Sequence, residues 1–415
     1  MGASPRRGTY GFLIAILLAF AIGIAFGYIT SITVPKDTAS TIASWLKALG
    51  DIFVRLIRII IPPLILFTIA AATSSIASAR QLGRILVWML FLYIITSVLA
   101  AFWGVLGGVL FQPGIGVGLQ PPNGYQPPTP PSGPDLLLSF FTPDFSNLLT
   151  VSGSMTMIIF AMILGVAAVF MGEPGRKIAS MLSLLSTLMV KFISVIMYYA
   201  PIAVFSYAGW LMISYGPAML SAYARFLGVQ YGFTLLHFIL IYSIIVMLGG
   251  LNPIVYFKAQ LTPFLIAFTT RSSAATLPFN MEAARKMGVP DEVFNITLPI
   301  GATVNMDGTA LYQALSALFI AQLFGINLTS SQLGMVMVAA TIGSVATAAI
   351  PGGGTIMLAY VLSVVGLPLE GIGIMMVIDP LADAIRTAVN ASGDNACTIL
   401  ITKLTGYKLN PKTSS

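Results

Sequence analysis

Apolar residues run along this chain in blocks of about 20 or more, separated by short polar stretches, instead of alternating with the periods of a soluble domain. The blocks predict membrane-spanning helices near 10–32, 42–76, 82–111, 137–171, 177–212, 217–249, 291–324 and 368–405. Two more apolar regions, near 253–288 and 329–366, are interrupted by small and polar residues. The first interruption reads Thr269-Thr270-Arg271-Ser272-Ser273-Ala274-Ala275-Thr276-Leu277-Pro278, and the second Ala348-Ala349-Ile350-Pro351-Gly352-Gly353-Gly354. A pair of half-length arms around a small-residue break describes a re-entrant helical hairpin, and a matched pair of such segments points to a transporter binding site. The other reading, two complete spans joined by tight loops, would put Arg271 and its serines in bulk water.

Composition agrees with the pattern. Of the 415 residues, 57% are hydrophobic and 8% charged, about a third of the charge of an ordinary soluble domain. The net charge of +7 sits at the ends of apolar runs. Arg6 and Arg7, Arg80 and Arg84, Arg176 and Lys177, Arg285 and Lys286, and Lys403, Lys408 and Lys412 mark alternate connections, which places both termini in the cytoplasm. No basic face suits a nucleic acid. One cysteine, Cys397, rules out an internal disulfide, and one histidine, His237, rules out a His-rich metal site; His237 reads as a satisfied intramembrane residue. The apolar runs are too long for the ~10-residue alternating strands of a β-barrel. Residues 112–134 carry no charge, are rich in Pro and Gly and read as a flexible external loop.

Function concentrates after residue 250, where Asp307, Asp379, Asp383 and Asp394 fall inside apolar segments. Ionisable groups at membrane depth are costly and therefore point to function. Asp379, Asp383, Arg386, Thr387, Asn390 and Asp394 share one face of a helix by spacing. Arg386 suits a carboxylate and Asp383 an ammonium, together a zwitterion with an extra acidic group; a ladder of internal salt bridges is the plainer alternative. Asn305-Met306-Asp307-Gly308-Thr309 lies midway along a span, where Gly308 suits a local unwinding that frees carbonyls for a cation. A continuous helix with buried hydrogen bonds is the alternative there.

These three motifs, in this order, resemble the dicarboxylate/amino acid:cation symporter family (the glutamate transporters), and within it the archaeal and bacterial sodium–aspartate symporters. The resemblance implies an all-α polytopic membrane protein of eight transmembrane helices plus two re-entrant hairpins, with inverted repeats and an elevator mechanism. It implies scaffold helices in 1–76 and 135–212, and a transport domain of 77–111, 213–252, hairpin 253–288, helix 289–325, hairpin 326–367 and helix 368–406, with 112–134 extracellular and 407–415 a cytoplasmic tail.

The implied substrate residues are Arg271, Ser272 and Ser273 on the first hairpin tip, Ile350 and Gly354 on the second, Thr309 in the mid-span motif, and Asp383, Arg386, Thr387 and Asn390 on the last helix. Arg386 would take the side-chain carboxylate with Thr309 alongside, Asp383 the amino group with Thr387, and Asn390 with the Ser273 backbone the α-carboxylate. Three sodium sites are implied: Asp394 with carbonyls of Gly301, Asn305 and Asn390; carbonyls of Thr303, Ser344, Val345 and Thr347 with the Met306 sulfur; and Tyr93, Thr96, Ser97, Asn305 and Asp307. Arg271 matches prokaryotic members, while Pro380 departs from the archaeal pattern. The expected protein is a homotrimeric, non-enzymatic symporter of aspartate, or glutamate, with co-transported Na+, in the bilayer of a prokaryotic plasma membrane. A proton-coupled glutamate or C4-dicarboxylate transporter and an anion-conducting channel are the alternatives.

Overall fold

The computed structural model describes residues 5–78, 83–121, 125, 146, 154–347 and 353–410. Every regular element among them is helical: α1 (Pro5–Thr33), α2 (Lys36–Ser78), α3 (Gly83–Phe111), α4 (Ser154–Phe170), α5 (Glu173–Ile196), α6 (Ala200–Tyr215), α7 (Pro217–Leu236), α8 (Tyr242–Gly249), α9 (Pro253–Thr270), α10 (Ser273–Lys286), α11 (Asp291–Val304), α12 (Asp307–Leu323), α13 (Ser330–Val345), α14 (Gly353–Val365) and α15 (Gly371–Leu404). A 3₁₀ turn joins α5 to α6, and a π-helical turn, His237–Ile241, joins α7 to α8. The run expected at 177–212 is therefore two helices in line, and so is 217–249. Of the run expected at 137–171, most of the first half lies outside the described residues.

Five helical stretches (Ile14–Thr33, Lys36–Ser74, Gly83–Phe111, Glu173–Tyr215 and Pro217–Gly249) are each long and apolar enough to cross a bilayer. The distribution of polarity is the reverse of a water-soluble protein. Ile14, Leu18, Ile22, Ile59, Phe170 and Leu184 are exposed, while Asp307, Asp379, Asp383, Arg386, Asn390 and Asp394 are buried. Lipid accepts the first set, and only protein partners accept the second.

The helices pack in two groups. α2 contacts α4, α5 and α6, and α6 also contacts α1; the others are arranged around α12 and α15, with α3 against α12 and α9 against both α10 and α15. Glycine sets how close the α3–α12 pair comes. A Cβ on Gly104 would lie 2.4 Å from the Leu311 carbonyl oxygen. Residues 112–121, expected as the start of a flexible loop, are fastened to the end of α12. Leu119 N–H donates to Leu323 O at 2.8 Å, Gly114 N–H to Gln322 Oε1 at 3.0 Å, and Gln322 Nε2 to Gly108 O at 2.8 Å. Backbone amides buried beside α12 need those acceptors, and meeting that need costs the segment its freedom.

The α9–α10 pair is fixed to α15 by a buried amide network. Gln260 Nε2 donates to Asn280 Oδ1 at 3.0 Å, Asn395 Nδ2 to Gln260 Oε1 at 2.8 Å, Asn280 Nδ2 to Ala391 O at 2.7 Å, and Tyr256 OH to Ser392 O at 2.8 Å. Each buried amide left unpaired costs about 1–3 kcal/mol, so Asn280→Leu should lower the unfolding midpoint in detergent clearly; an unchanged midpoint contradicts this anchoring. Gly104→Ala, by forcing α3 off α12, should cost about 1–3 kcal/mol of overpacking in the same assay.

Candidate functional site

The charged face of α15 is the starting point. Pro380 lies inside α15 without ending it. Arg386, only 2% exposed, donates from Nη2 to Asp383 Oδ1 at 2.7 Å, from Nε to the same oxygen at 3.2 Å and from Nη1 to Asp379 Oδ1 at 3.2 Å. The i and i+3, i+7 spacing on one helix makes this possible. The guanidinium lies over the Tyr312 ring, Cζ 4.5 Å from its centroid, a favourable cation–π placement. Asp379 also accepts from Thr355 on α14, whose hydroxyl meets Tyr312 OH at 2.7 Å. Thr387 Oγ1 donates to Asp383 Oδ1 at 3.0 Å. Arg386 and Asp383, expected as separate contacts for a ligand, are therefore already bonded to each other. Among the described residues three of the five guanidinium N–H donors are used, and two remain.

The two helix breaks meet this face. At the first, Arg271 closes α9 in the left-handed region at φ 51°, unusual for a residue with a side chain, and Ser272 caps α10 by accepting from Ala275 N–H at 3.2 Å. Ser273 is the first residue of α10. At the second, Gly354 opens α14 against the guanidinium, where a Cβ would lie 2.8 Å from Arg386 Cζ. Gln313 Nε2 holds this end by donating to Gly354 O at 3.1 Å and to Thr347 Oγ1 at 3.4 Å. Ile350, expected on this tip, lies outside the described residues.

Arg271, Ser273, Met306, Thr309, Thr347, Gly354, Asp383, Arg386, Thr387 and Asn390 line one polar cavity of about 20 Å³. That is room for about one water molecule. Two of its groups have no hydrogen-bond partner among the described residues: the Asp383 Oδ2 acceptor, and the Arg271 Nε and Nη2 donors. Both side chains are buried.

The mid-helix break between α11 and α12 falls at Asn305–Met306. Gly308, expected to be the unwinding residue, instead sits in the first turn of α12, where a Cβ would lie 2.6 Å from Arg386 O; its smallness serves close packing on α15. Asn390 caps α12. Its Oδ1 accepts from Gly308 N–H at 2.8 Å and Thr309 N–H at 3.3 Å, and its Nδ2 donates to Thr309 Oγ1 at 3.0 Å and Met306 Sδ at 3.2 Å.

Behind the cavity stand two oxygen-rich clusters, each with one buried carboxylate. Asp394 accepts from Asn305 Nδ2 at 3.1 Å and lies against Gly301, where a Cβ would be 2.7 Å from Asp394 Oδ1. Asp307 Oδ1 accepts from Thr96 Oγ1 at 2.9 Å and Ser97 Oγ at 3.0 Å. Tyr93 turns its hydroxyl away to Thr297 O at 3.0 Å, while its carbonyl accepts from Thr96 Oγ1 at 3.3 Å. The remaining expected cation residues sit at helix ends, where carbonyls run out of i+4 amides, although Ser344 O still accepts from Thr347 N–H at 3.0 Å. Thr303 is near the end of α11, and Ser344, Val345 and Thr347 are at and just beyond the end of α13; these two helices touch. No group of three or more His, Cys, Asp or Glu occurs among the described residues.

Several neighbours escaped the sequence reading. Tyr312, Gln313 and Thr355 carry no signal in a run of apolar residues until the fold sets them beside Arg386. Tyr242 and His237 reach Asp307 Oδ2, at 2.9 and 3.4 Å. Asp379 was visible in the stripe, and its pairing with Arg386 follows from the i, i+7 spacing.

The chain matches the Sodium:dicarboxylate symporter family over residues 12–404. It is 28% identical over 375 residues to the proton/sodium-glutamate symport protein of Bacillus caldotenax, covering 88% of this chain and 89% of that one. It is 26% identical to the proton/sodium-glutamate symport protein of Bacillus subtilis, covering 97% and 94%. It is 27% identical to the C4-dicarboxylate transport protein of Rhizobium leguminosarum bv. trifolii, covering 97% and 91%. With its apolar helices and its match across nearly the whole length, this chain is a multi-pass membrane protein and a member of the Sodium:dicarboxylate symporter family.

Proposed function

We propose that the protein is a sodium-coupled symporter of acidic amino acids, L-aspartate first and L-glutamate second. One observation carries the choice of substrate: a carboxylate oxygen, Asp383 Oδ2, and a guanidinium edge, Arg271 Nε and Nη2, neither with a partner among the described residues, share a single cavity. Buried groups without partners are costly, and an amino acid supplies both complements at once, an ammonium for Asp383 and a carboxylate for the cationic side. A dicarboxylate without an amine leaves Asp383 facing negative charge. Arg386 keeps two donors for the side-chain carboxylate beside Thr309, and Asn390 with the amide end of α10 at Ser273 takes the α-carboxylate. Ser272 shapes that tip, and Gly354 belongs to the opposite wall.

Sodium fits the clusters by charge. Asp307 and Asp394 are buried, neither pairs with Lys or Arg among the described residues, and the hydroxyls of Thr96, Ser97 and Tyr242 meet Asp307 while the Asn305 amide meets Asp394. One carboxylate per cluster asks for a monovalent cation, and hard oxygen donors suit an alkali ion better than a soft metal. The sites are the three implied by the resemblance, with Tyr93, Thr96, Ser97, Asn305 and Asp307 in one, Gly301, Asn305, Asn390 and Asp394 in another, and Thr303, Met306, Ser344, Val345 and Thr347 in the third.

A 20 Å³ cavity admits an amino acid only if a wall moves. α9 and α10 are tied to α15 by amides away from the cavity, whereas α14 is held through Thr355, Gly354 and Gln313 at the cavity itself. The second broken pair, α13–α14, is therefore the gate. The re-entrant hairpins, the inverted repeats, the division into scaffold and transport domains with elevator movement, the homotrimer, the prokaryotic plasma membrane and cytoplasmic termini belong to the same reading. It is supported by the family and by the alternate basic connections.

Arg386→Cys should abolish aspartate uptake into proteoliposomes and, by leaving Asp379 and Asp383 without their cation, lower the unfolding midpoint without unfolding the protein; unaltered aspartate affinity contradicts the assignment. Asp383→Asn should lose aspartate by at least about tenfold, since it removes a charge-assisted bond of about 1.5–3 kcal/mol, and should gain relative affinity for succinate. A variant that keeps the original preference contradicts the role of Asp383.

A further inference from the structure

His237 is buried, belongs to none of the sites above, and touches Asp307. Its ring stands edge-on to Tyr242, with centroids 5.2 Å apart, and Nε2 lies 3.4 Å from Asp307 Oδ2. Both residues come from one irregular stretch, the π-helical turn His237–Ile241 and the first residue of α8. On a regular α-helix two residues five apart point about 140° apart. The wider i→i+5 turn swings both side chains toward one carboxylate oxygen, and such turns recur at functional sites.

The hydrogen-bond inventory separates the two donors. Tyr242 OH has one proton and two acceptors in reach, Asp307 Oδ2 at 2.9 Å and Val389 O at 3.1 Å. His237 Nε2 has Asp307 alone, and Nδ1 has no partner among the described residues. The tautomer follows, because a bare Nε2 would set a lone pair against a carboxylate lone pair. Nε2 therefore carries a proton and is the committed donor to Oδ2. The other oxygen, Oδ1, meets Thr96 and Ser97, whose hydroxyls can turn to give lone pairs to a cation.

We infer that His237 is a positioning residue for cation coupling: held by the π-helical turn, it fixes Asp307 Oδ2 so that Oδ1, with Thr96 and Ser97, faces the cation. The inference rests on the sodium-symport reading above and goes beyond it by adding a residue that touches neither substrate nor cation. Without this partner Oδ2 keeps only the Tyr242 proton, which Val389 O also draws, and loss of such an outer partner weakens metal binding by about 10–100-fold.

The test is sodium-dependent L-aspartate uptake by the purified full-length protein in liposomes, with thermal unfolding measured alongside. His237→Leu should raise the sodium concentration for half-maximal uptake about tenfold, with aspartate affinity at saturating sodium unchanged. His237→Gln, whose terminal amide reaches as far as Nε2, should recover most of the loss. If the leucine variant does not fold, His237→Asn, whose amide is too short to reach Asp307, carries the same expectation. A sodium midpoint like that of the unaltered protein in the leucine or asparagine variant overturns the inference alone, as does a glutamine variant as impaired as leucine. Sodium-independent uptake by the unaltered protein overturns the symport reading and the inference with it.

Discussion

Arg386 holds a permanent charge in the middle of a helical bundle whose outward faces are apolar, and the arrangement of the centre follows from how that charge is accommodated. Two carboxylates of its own helix, Asp383 and Asp379, accept its hydrogen bonds, and the Tyr312 ring covers one face. Removing one member of a buried ion pair typically costs about 3–5 kcal/mol, so these residues stand or fall together. The accommodation is incomplete on one side. Two carboxylates meet one guanidinium, and among the described residues Asp383 Oδ2 and Nε and Nη2 of Arg271, which closes α9, have no partner. A site that is nearly neutral yet locally unsatisfied at both signs favours a ligand carrying both signs.

The α11–α12 break links that site to the oxygen clusters behind it. Asn390, which lines the cavity, caps α12 at Gly308 and Thr309 and touches the Met306 sulfur. Asn305, one residue before Met306, donates to Asp394 and comes within 3.5 Å of Thr96, which donates to Asp307. On the proposed reading, a cation that orders Asn305 and Met306 would also order residues the substrate meets, and such shared residues would give a reciprocal coupling in which each ligand raises the affinity for the other.

Much of this was legible in the sequence, and for physical reasons. A bilayer penalises ionisable groups so strongly that Asp307, Asp383, Arg386 and Asp394 stand out against apolar surroundings, and helical spacing puts the α15 group on one face. The helix breaks were readable because Arg271-Ser272-Ser273 and Asn305-Met306 interrupt otherwise apolar arms. What stayed hidden depends on contacts between distant segments. Nothing local marks Tyr312 as the floor beneath Arg386, or distinguishes Gln260, Asn280 and Asn395 from polar residues facing water. Gly308 was read as a hinge, yet its lack of a side chain serves the approach of α12 to the Arg386 backbone. The π-helical turn at His237–Ile241 lies in a run of apolar residues that fits a regular helix equally well.

The central claim is that cation coupling and amino-acid selectivity reside in adjoining sites that share residues. Its most direct test is uptake of labelled L-aspartate by the reconstituted protein under an inward sodium gradient, beside an equal potassium gradient, with unlabelled aspartate or succinate as competitor. Uptake only with sodium, abolished by excess aspartate and untouched by succinate, is the predicted result. Equal uptake in both salts driven by a pH gradient, or competition by succinate as strong as by aspartate, would contradict it.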